Sequence, residues 1–497
     1  MDESSQTSQP HASAVANSGG DRPVAAASIE APAKMVSLYE KTKKIYPKAV
    51  DGLFVKWRWI LVWLTQIVFY GLPWLMWNER QAVLFDLGTR RFYIFGLVLY
   101  PQDFIYLTGL LIISAYALFL FTALAGRLWC GYACPQTVYT EIFMWFEHRF
   151  EGDRAKRMKL DAGPWTGDKF LRKSGKQLAW VLFSLWTGFT FVGYFTPIHS
   201  LAASAVQLGF GPWEWFWVLF YGFATYGNAG YMREQVCKYM CPYARFQSAM
   251  FDKDTLIITY DTERGEPRGS RGKKVDYKQA GLGACVDCNL CVQVCPTGID
   301  IRKGLQYECI GCAACIDVCD SVMDKMGYAP GLVRYTTQNG IDQKWTRAQM
   351  VSRALRPRVL IYTVILVLIV AAVGTSIWMR SPFKVDIVRD RASLARIVED
   401  GKIENVYRLQ IMNTTESTQV YRVRVNGLQG LDLDAIPEIR LGPAEAKWVS
   451  VNVHLSPEVA QAAGPGAKTI HFDIDRLDAQ LGAPVTVREK STFMIPQ

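Results

Sequence analysis

Two pairs of cysteines, each spaced four residues apart and followed by proline, are the first candidates for chemistry. They lie in the stretches LWCGYACPQ and VCKYMCPY, and each stretch closes an apolar run. The pairs are Cys130 with Cys134, and Cys237 with Cys241. If a helix continues through each motif, the two thiols lie on one face, about 5–6 Å apart at Cβ. Pro135 and Pro242 then end or kink that helix. Thiolates are the ligands that Cu(I) prefers, so all four thiols are candidate catalytic and copper-binding residues.

Three other interpretations of these CxxxCP pairs stay open. The spacing is close to that of a reversible disulfide. Four thiols brought together would also suit an additional iron–sulfur cluster. Buried cysteines commonly pack as small hydrophobic side chains, although two matched motifs disfavour that explanation. The repeat of apolar run, CxxxCP motif and amphipathic stretch predicts that all four thiols lie near one another at one membrane surface.

Two further groups of four cysteines have the C-x2-C-x2-C-x3-C spacing of bacterial two-cluster ferredoxins. They are Cys285, Cys288, Cys291 and Cys295 in CVDCNLCVQVCP, and Cys309, Cys312, Cys315 and Cys319 in CIGCAACIDVCD. In this pattern three closely spaced thiolates hold one cluster and the fourth ligates the other. We therefore predict one [4Fe-4S] cluster on Cys285, Cys288, Cys291 and Cys319, and a second on Cys309, Cys312, Cys315 and Cys295.

Zinc explains these quartets less well, because structural zinc sites use two separated CxxC pairs. Pro296 follows Cys295 as the ferredoxin pattern expects, whereas Asp320 follows Cys319. A carboxylate at that position is expected to lower the potential of the nearby cluster. Two clusters that exchange ligands indicate an electron conduit, although purely structural clusters would leave the same pattern.

The composition indicates a chain that is part membrane protein and part soluble protein. Of 497 residues, 50% are hydrophobic, 20% are charged and 16 are Trp. The net charge of +10 comes from basic residues that flank apolar runs, which is typical of cytoplasmic loops and predicts no nucleic-acid partner. All 12 cysteines lie between Cys130 and Cys319 with metal-ligand spacings, so we predict a reducing compartment for them.

Five apolar runs are long enough to cross a lipid bilayer. They cover approximately residues 57–77, 104–125, 178–197, 213–232 and 359–379. Residues 1–34 are rich in Ala, Ser and Gln and are expected to be disordered. The segment RRFYIFGLVLYPQD, residues 90–103, is too short to span and is predicted to be an interfacial or re-entrant loop.

The distribution of Lys and Arg predicts the orientation. Basic residues are concentrated before the first run, between the second and third runs, and over 233–358, whereas 197–212 contains none. The ferredoxin domain and the amino terminus are therefore expected in the cytoplasm. The predicted domains are a membrane domain with about four helices over 35–256, a ferredoxin domain over 257–356, a last membrane helix over 357–380 and an outer domain over 381–497.

The outer domain has the alternation of antiparallel strands. In VYRVRVNGL, Tyr421, Val423 and Val425 fall on one face, and Arg422 and Arg424 fall on the other. The stretches KWVSVNVHL and TIHFDIDRL alternate in the same way, and Gly, Pro and Asn turns separate them. Several such strands predict a β-sandwich. Its sequence contains no cysteine and no acid–base group, which favours a role in interaction or stabilisation.

These motifs resemble the FixG/RdxA/CcoG family of bacterial accessory proteins for cbb-type cytochrome c oxidase. The resemblance rests on WCGYACPQTV, on REQVCKYMCPYARFQSAMFDKDTL, and on the segment from GACVDCNLC to DSVMDKMGY, and it covers nearly everything from about residue 35 onward. It implies a polytopic α-helical membrane domain with an inserted two-cluster ferredoxin domain and an immunoglobulin-like β-sandwich. The implied location is the bacterial inner membrane, with the sandwich in the periplasm.

The resemblance also implies a function, which is reduction of Cu(II) to Cu(I) for delivery of copper to the oxidase. The implied partners are oxidase subunits or copper chaperones, together with an unidentified electron donor. Two alternatives remain. The first is a quinol-oxidising membrane ferredoxin that feeds another redox partner, as in a related family. The second is a copper chaperone or assembly scaffold without redox activity.

Overall fold

The computed structural model describes residues 44–390, 395–434, 438–477 and 485–496. The segment predicted to be disordered, 1–34, lies outside the described residues. The α-helices of the described part are α1 (Leu53–Gly71), α2 (Phe104–Ala125), α3 (Leu128–Tyr132), α4 (Pro135–Glu151), α5 (Arg154–Ala162), α6 (Gly167–Val192), α7 (Ile198–Val206), α8 (Pro212–Thr225), α9 (Pro242–Met250), α10 (Thr262–Gly265), α11 (Leu290–Gln293), α12 (Ala314–Met326), α13 (Gln338–Asp342), α14 (Arg347–Ser352), α15 (Pro357–Trp378) and α16 (Pro457–Ala463).

The strands fall into three regions of the chain. They are β1 (Met76–Trp77), β2 (Arg80–Gln81), β3 (Val83–Asp86), β4 (Arg91–Ile94) and β5 (Leu97–Leu99) between α1 and α2, β6 (Ile257–Tyr260) and β7 (Val333–Thr336) in the ferredoxin region, and β8 (Phe383–Arg389), β9 (Arg396–Ile397), β10 (Ile403–Asn413), β11 (Gln419–Asn426), β12 (Leu431–Leu433), β13 (Ile439–Leu441), β14 (Ala446–Leu455), β15 (Gly466–Arg476) and β16 (Thr486–Ile495) after α15.

Within the described residues, three helices are long and apolar enough to cross a membrane. They are α1 with its 3-10 extension to Trp74, α2 with the preceding turn, and α15, with mean hydropathies of 1.2, 2.2 and 2.5. Few of the residues in these apolar windows are buried, 17% in α1 and 0% in α2 and α15, as expected for helices in contact with lipid. The other two predicted spans lie in α6, and in α8 with the π-helical turn Tyr226–Met232 that follows it. That α6 and α8 also cross stays a prediction.

The connection between α1 and α2 is a set of short strands, which corrects the interpretation of 90–103. The strands β3, β4 and β5 form an antiparallel sheet. Tyr93, Val98 and Tyr100 are buried in a cluster with Met412 and Ala444 of the C-terminal domain. The segment 90–103 therefore contains two strands, β4 and β5, that pack against another domain, and it is not the loop that was predicted. Its apolar residues alternate because one face of the sheet is buried.

The connections of the helices contact one another at one end. Gln81 donates through Nε2 to the Gly193 carbonyl after α6, at 2.8 Å, and accepts at Oε1 from the Ile198 amide at 2.9 Å. Arg380, after α15, donates through Nη1 to the Val98 carbonyl at 2.8 Å. The ends of α1, α6 and α15 and the start of α2 therefore lie together, with the C-terminal domain beside them. Five spans that cross the membrane in alternating directions require these helix ends to lie on the same side.

The C-terminal domain is a sandwich of two antiparallel sheets, as predicted. One sheet has the order β12–β14–β10–β8, with β9 also on β10, and the other has the order β13–β11–β15–β16. In register, Tyr407 of β10 faces Val451 of β14 and Val423 of β11 faces Ile474 of β15. All four side chains are buried in one core. The β-sandwich predicted from the period-two alternation of apolar residues is therefore confirmed.

The ferredoxin region lies at the opposite end of the helices. Its strands β6 and β7 pair antiparallel. Its core contains Ile258, Ile316, Met323 and Leu332, with Phe54 of α1 packed against them. Because α1 begins in contact with this core, the ferredoxin region and the first membrane helix are held together at that end.

Candidate electron-transfer site

The eight quartet cysteines line two small cavities in the ferredoxin region. The first is lined by Cys285, Cys288, Cys291 and Cys319. The second is lined by Cys295, Cys309, Cys312 and Cys315, and Cys291 also reaches it. The structure thus groups the thiols as the crossed assignment predicts, with the last cysteine of each quartet at the other quartet's cavity. Four thiols around one void are a donor set that fits an iron–sulfur cluster.

The two cysteine loops repeat the same backbone conformation. Asp287 and Asn289 in the first loop have φ of 51° and 56°, and Gly311 and Ala313 at the equivalent positions have φ of 71° and 60°. Gly, Asn and Asp tolerate this left-handed region, whereas Ala adopts it at a cost. Turning the chain at these two positions lets three cysteines of one short loop face the same cavity.

Arg302 fixes the shape of the first loop. Its guanidinium donates to the Asp287 carboxylate and to the Asn289 side-chain oxygen, each at 2.6 Å, and to Asp300 at 2.8 Å. The Arg302 side chain is 7% exposed, whereas that of Asp287 is 42% exposed, so the guanidinium is buried and its bond to Asp287 lies at the surface. These hydrogen bonds hold both left-handed residues and place a positive charge beside the first cavity.

Two of the quartet thiols, Cys309 and Cys319, are poor acids in this environment. Burial raises the pKa of Cys309 and of Cys319 to about 12, and neighbouring thiols and carboxylates add to the effect. A thiol in such surroundings ionises when a cation compensates its charge. The donor set is therefore suited to a metal cofactor and unsuited to free thiolate chemistry.

Each CxxxCP motif is a break between two helices, which corrects the predicted continuous helix. In the first motif α3 contains Cys130 and ends before Cys134, which has φ −61° and ψ 128°. In the second, the π-helical turn Val236–Met240 contains Cys237, and Cys241 is extended with φ −79° and ψ 108°. The residue before proline disfavours the helical region, and proline suits the first position of a helix. Pro135 and Pro242 accordingly begin α4 and α9.

The four CxxxCP thiols lie together, as predicted from the repeat. Burial raises the pKa of Cys237 to about 12, and Cys134, Cys130 and Cys241 all lie close enough to raise it further. Cys130 and Cys237 pack against one apolar cluster that also contains Cys312. The two motifs, separated by about a hundred residues, are therefore neighbours in the fold, and we call their four thiols the thiol site.

The first CxxxCP motif is in direct contact with the second ferredoxin loop. A Cβ atom at Gly131 would lie 2.8 Å from the Cα and N atoms of Cys312 and 2.8 Å from the carbonyl carbon of Gly311. Conversely, a Cβ atom at Gly311 would lie 3.0 Å from the Arg127 carbonyl oxygen. Each glycine permits the backbones to approach more closely than any other residue would. The thiol site thus abuts the loop that carries three quartet cysteines.

Three residues that the sequence analysis did not single out hold this junction. Arg127 is 7% exposed and donates to the carbonyls of Tyr307 and Ala244. The Tyr307 hydroxyl donates to the Lys238 carbonyl beside Cys237. Gln247 is fully buried and accepts from the Cys130 thiol at 3.4 Å. All these contacts join residues about seventy or more positions apart, so local sequence carries no signal of them.

Among the described residues, no group of three or more His, Cys, Asp or Glu side chains has the spacing of a site for one metal ion. The ferredoxin quartets share this property. Two thiols alone offer the soft sulfur ligands that Cu(I) prefers. Such a pair has fewer side chains than the groups of three or more described above.

Three protein-family models match parts of the chain. A "4Fe-4S dicluster domain" matches residues 232–338, which hold both quartets and the second CxxxCP motif. A "4Fe-4S binding domain" matches residues 107–152, which hold the first CxxxCP motif. An "IG-like fold at C-terminal of FixG" matches residues 373–496. The chain therefore carries iron–sulfur binding domains and an immunoglobulin-like domain.

Characterised relatives match most of the chain. Nitrogen fixation protein FixG of Rhizobium meliloti is 37% identical over 422 residues, which are 79% of this chain and 80% of that protein. Protein RdxB of Cereibacter sphaeroides is 36% identical over 455 residues, 90% of this chain and 94% of that protein. Protein RdxA of the same organism is 37% identical over 404 residues, 79% and 84% of the two chains. The chain belongs to the FixG/RdxA/RdxB family.

Membership of the FixG family agrees with the resemblance that the motifs carry. This family member combines iron–sulfur binding domains, helices able to cross a membrane and an immunoglobulin-like C-terminal domain. Such a combination is that of a membrane-bound redox protein. The contact between Gly131 and Cys312 then becomes the feature of most functional interest, because it joins the ferredoxin region to a second thiol site.

Proposed function

We propose that this FixG-family protein reduces Cu(II) to Cu(I) at the four CxxxCP thiols and thereby serves the assembly of a cbb-type cytochrome c oxidase. Each Cu(II) gains one electron and leaves as Cu(I). The [4Fe-4S] clusters supply single electrons when bound to the eight quartet cysteines. The observation that supports this proposal is the van der Waals approach of Gly131 to Cys312, because a redox relay needs short distances.

The residues of the thiol site suit the product. Cys130, Cys134, Cys237 and Cys241 offer soft sulfur ligands that favour Cu(I). The thiols are part-buried, so bound Cu(I) would be partly shielded from oxidants. Arg127 and Tyr307 hold the thiol site against the ferredoxin loop, and their role is to position the two sites.

The same proposal assigns sides of the membrane. Lys and Arg flank the ferredoxin end of the helices, so that end lies in the cytoplasm of a bacterial inner membrane. The immunoglobulin-like domain then lies in the periplasm, where it docks an oxidase subunit or a copper chaperone. No part of this function involves nucleic acid.

The test is an anaerobic reaction with the full chain. The purified protein is reduced, Cu(II) is added, and loss of the reduced-cluster spectrum is followed alongside formation of Cu(I) with a Cu(I)-specific chelator. We expect the parent protein to form Cu(I) as its clusters are oxidised, and a Cys134→Ala/Cys241→Ala variant to form much less. Tyr239→Ala, an exposed change inside the second motif, is the matched control. Equal Cu(I) formation by the parent protein and the double variant would show that these thiols are not the site of copper reduction.

A second candidate is a further iron–sulfur cluster held by the four CxxxCP thiols. It is supported by the "4Fe-4S binding domain" match over 107–152, since Cys130 and Cys134 are the only cysteines in that range. Iron content per chain distinguishes the two candidates. The double variant keeps the parental iron content if the thiols bind copper alone, and loses iron if they hold a cluster.

A scaffold or chaperone without redox activity remains the third alternative. Variants that lack quartet cysteines test it in cells. If oxidase assembly continues at the parental level after Cys288→Ser and Cys312→Ser, the clusters are not needed as electron carriers. Loss of assembly with normal membrane insertion supports the electron-transfer proposal.

A further inference from the structure

A cavity of about 760 Å³ lies beside α1 and α4 and next to the ferredoxin loops. Its walls come from residues 47–60, from one face of α4 and from the quartet region. This volume is in the range of small-molecule sites, about 300–1,000 Å³. No cysteine lines the cavity, so it is separate from the two cluster cavities and from the thiol site.

One wall of the cavity adjoins the second cluster cavity. Pro296 and Ala314 line the wall, and their chain neighbours Cys295 and Cys315 line the cluster cavity. The cavity and the second cluster cavity are therefore neighbours on the two sides of this wall. That is a suitable position for an electron donor.

The opposite wall belongs to a helix that can cross the membrane. Trp59 and Ile60 of α1 line the cavity, as does Trp145 of α4. Ile60 is 53% and Trp145 is 50% exposed, although both are large and apolar. Tryptophan concentrates at the level where lipid head groups meet the hydrocarbon region. These walls suit a ligand that combines a planar head, which can stack on the tryptophans, with an apolar tail.

The deep part of the cavity is polar. Arg58 is 7% exposed, and its guanidinium donates to Glu141 at 3.0 Å. The carboxylate of Glu141 and the imidazole of His148 also line the cavity, and both groups suit a hydroxyl.

We propose that this cavity binds the head group of a membrane hydroquinone, and that the hydroquinone is the electron donor of the proposed function, on which this inference rests. Oxidation breaks two O–H bonds, and the hydroquinone becomes a quinone with loss of two electrons and two protons. With a cluster held by Cys295, Cys309, Cys312 and Cys315, the two electrons would pass singly through that site, and two Cu(II) would be reduced to two Cu(I). The protons pass to Glu141 or His148 and from there to water.

The first experiment measures binding without turnover. The full chain in lipid nanodiscs is illuminated with an azido derivative of a decyl-substituted benzoquinone, and labelled peptides are mapped. We expect label within residues 45–60 or 141–153, competed by the unlabelled decylquinone and not by flavin mononucleotide or NADH. Label elsewhere, or competition by a nucleotide alone, would overturn the proposal and indicate a soluble donor.

A space-filling variant provides the control for labelling. Ala49 lines the cavity and is exposed, and its backbone amide bond to Asp153 does not involve the side chain. We expect Ala49→Trp to reduce labelling about tenfold. Ala348→Trp, an equally exposed change on α14, should label as the parent does. Undiminished labelling of Ala49→Trp would contradict the site.

The second experiment separates this inference from the proposed function. Protein reduced beforehand with dithionite is mixed anaerobically with the decylquinone or with Cu(II), and reoxidation is followed by absorbance. We expect Ala49→Trp to slow the quinone reaction about tenfold more than the Cu(II) reaction. Cys134→Ala should instead slow the Cu(II) reaction more than the quinone reaction. Failure with quinone alone overturns the hydroquinone site, whereas failure with Cu(II) alone overturns the proposed function and leaves the site.

Discussion

The Asp317 carboxylate caps the amino end of α1 from 262 residues away, and accepts the Val55 amide at 2.8 Å. It also accepts the Phe54 amide at 3.2 Å. Asp317 stands between Cys315 and Cys319 on α12, so one side chain couples a cluster helix to the first membrane helix. Gly52 makes this approach possible, because a Cβ atom there would lie 2.2 Å from the Asp317 carboxyl carbon.

Removing this cap should loosen the contact between the ferredoxin region and α1. We expect Asp317→Ala to destabilise the folded protein by about 1–2 kcal/mol, because two amides of the first helical turn lose their acceptor. Thermal denaturation in detergent and hydrogen exchange of residues 53–56 measure the effect. Asp317→Asn keeps an acceptor oxygen and should lose less. Equal stability of parent and Asp317→Ala would show that water replaces the cap fully.

Adding a methyl group at Gly131 should separate the thiol site from the ferredoxin loop. We expect Gly131→Ala to slow oxidation of the reduced protein by Cu(II) by about tenfold or more, since a shift of about 1 Å at a reactive site has effects of this size. Stopped-flow absorbance under anaerobic conditions measures the rate. Gly272→Ala is the control, because no atom lies within 4 Å of a Cβ atom at that position. A parental rate for Gly131→Ala would mean that electrons take another route.

The crossed ligand assignment predicts which cysteine variants resemble each other. Cys285→Ser and Cys319→Ser should lose the same electron paramagnetic resonance signal, although the two residues belong to different quartets. Cys309→Ser and Cys295→Ser should lose the other signal. Each variant should retain about half of the iron, since each removes one of two clusters. A quartet-by-quartet pattern of loss would contradict the assignment.

The buried ion pairs of Glu147 should make stability depend on pH in the acid range. Glu147 pairs with Arg157 and with Arg233, each at 2.6 Å. Burial alone would raise the pKa of Glu147, but Arg233 and Arg157 hold it below its ordinary value of 4.5. A carboxylate with a lowered pKa stabilises the folded state above pH 4.5, and this contribution is lost as the pH falls through the lower folded value.

Glu147→Gln should therefore lose about 3–5 kcal/mol near neutral pH, because two buried guanidiniums lose their charge partner. Its stability should also decline less steeply than that of the parent protein below pH 4.5. Unfolding midpoints recorded across the acid range measure both effects. The exposed pair of Asp168 with Arg172 supplies the control, and Asp168→Asn should cost less than about 1 kcal/mol. Parallel acid profiles for parent and Glu147→Gln would contradict the assignment.

The contact between the α1–α2 connection and the C-terminal domain depends on Glu416. Its carboxylate accepts from the Trp77 indole at 3.0 Å and from the side chains of Asn78 and Arg80. We expect Glu416→Ala to make residues 76–100 more susceptible to limited proteolysis, with little change in the sandwich itself. Glu438→Ala, which removes an exposed pair with Arg422 in the same domain, should leave the digestion pattern unchanged. Identical patterns for both variants would show that the apolar contacts alone hold the segment.

Much of the fold follows from local sequence. The three helices that can cross a membrane have continuous apolar runs, and the sandwich strands alternate with a period of two, so each pattern reports the environment of its own segment. The cysteine quartets are equally local, because three ligands of one cluster come from a single short loop. The segment 90–103 was misjudged since its burial depends on Met412 and Ala444, more than 300 positions away.

By itself, the sequence determined the chemistry of this protein, since residue type and spacing set which ligands can face one void. The tertiary structure decided which of these chemical groups lie next to one another. It placed Gly131 against Cys312, grouped two distant CxxxCP motifs into one thiol site, and opened a cavity between α1 and the loop of Cys295. These relationships depend on how closely separate backbones approach, and that distance is set by packing between elements and not by the order of residues within any one of them.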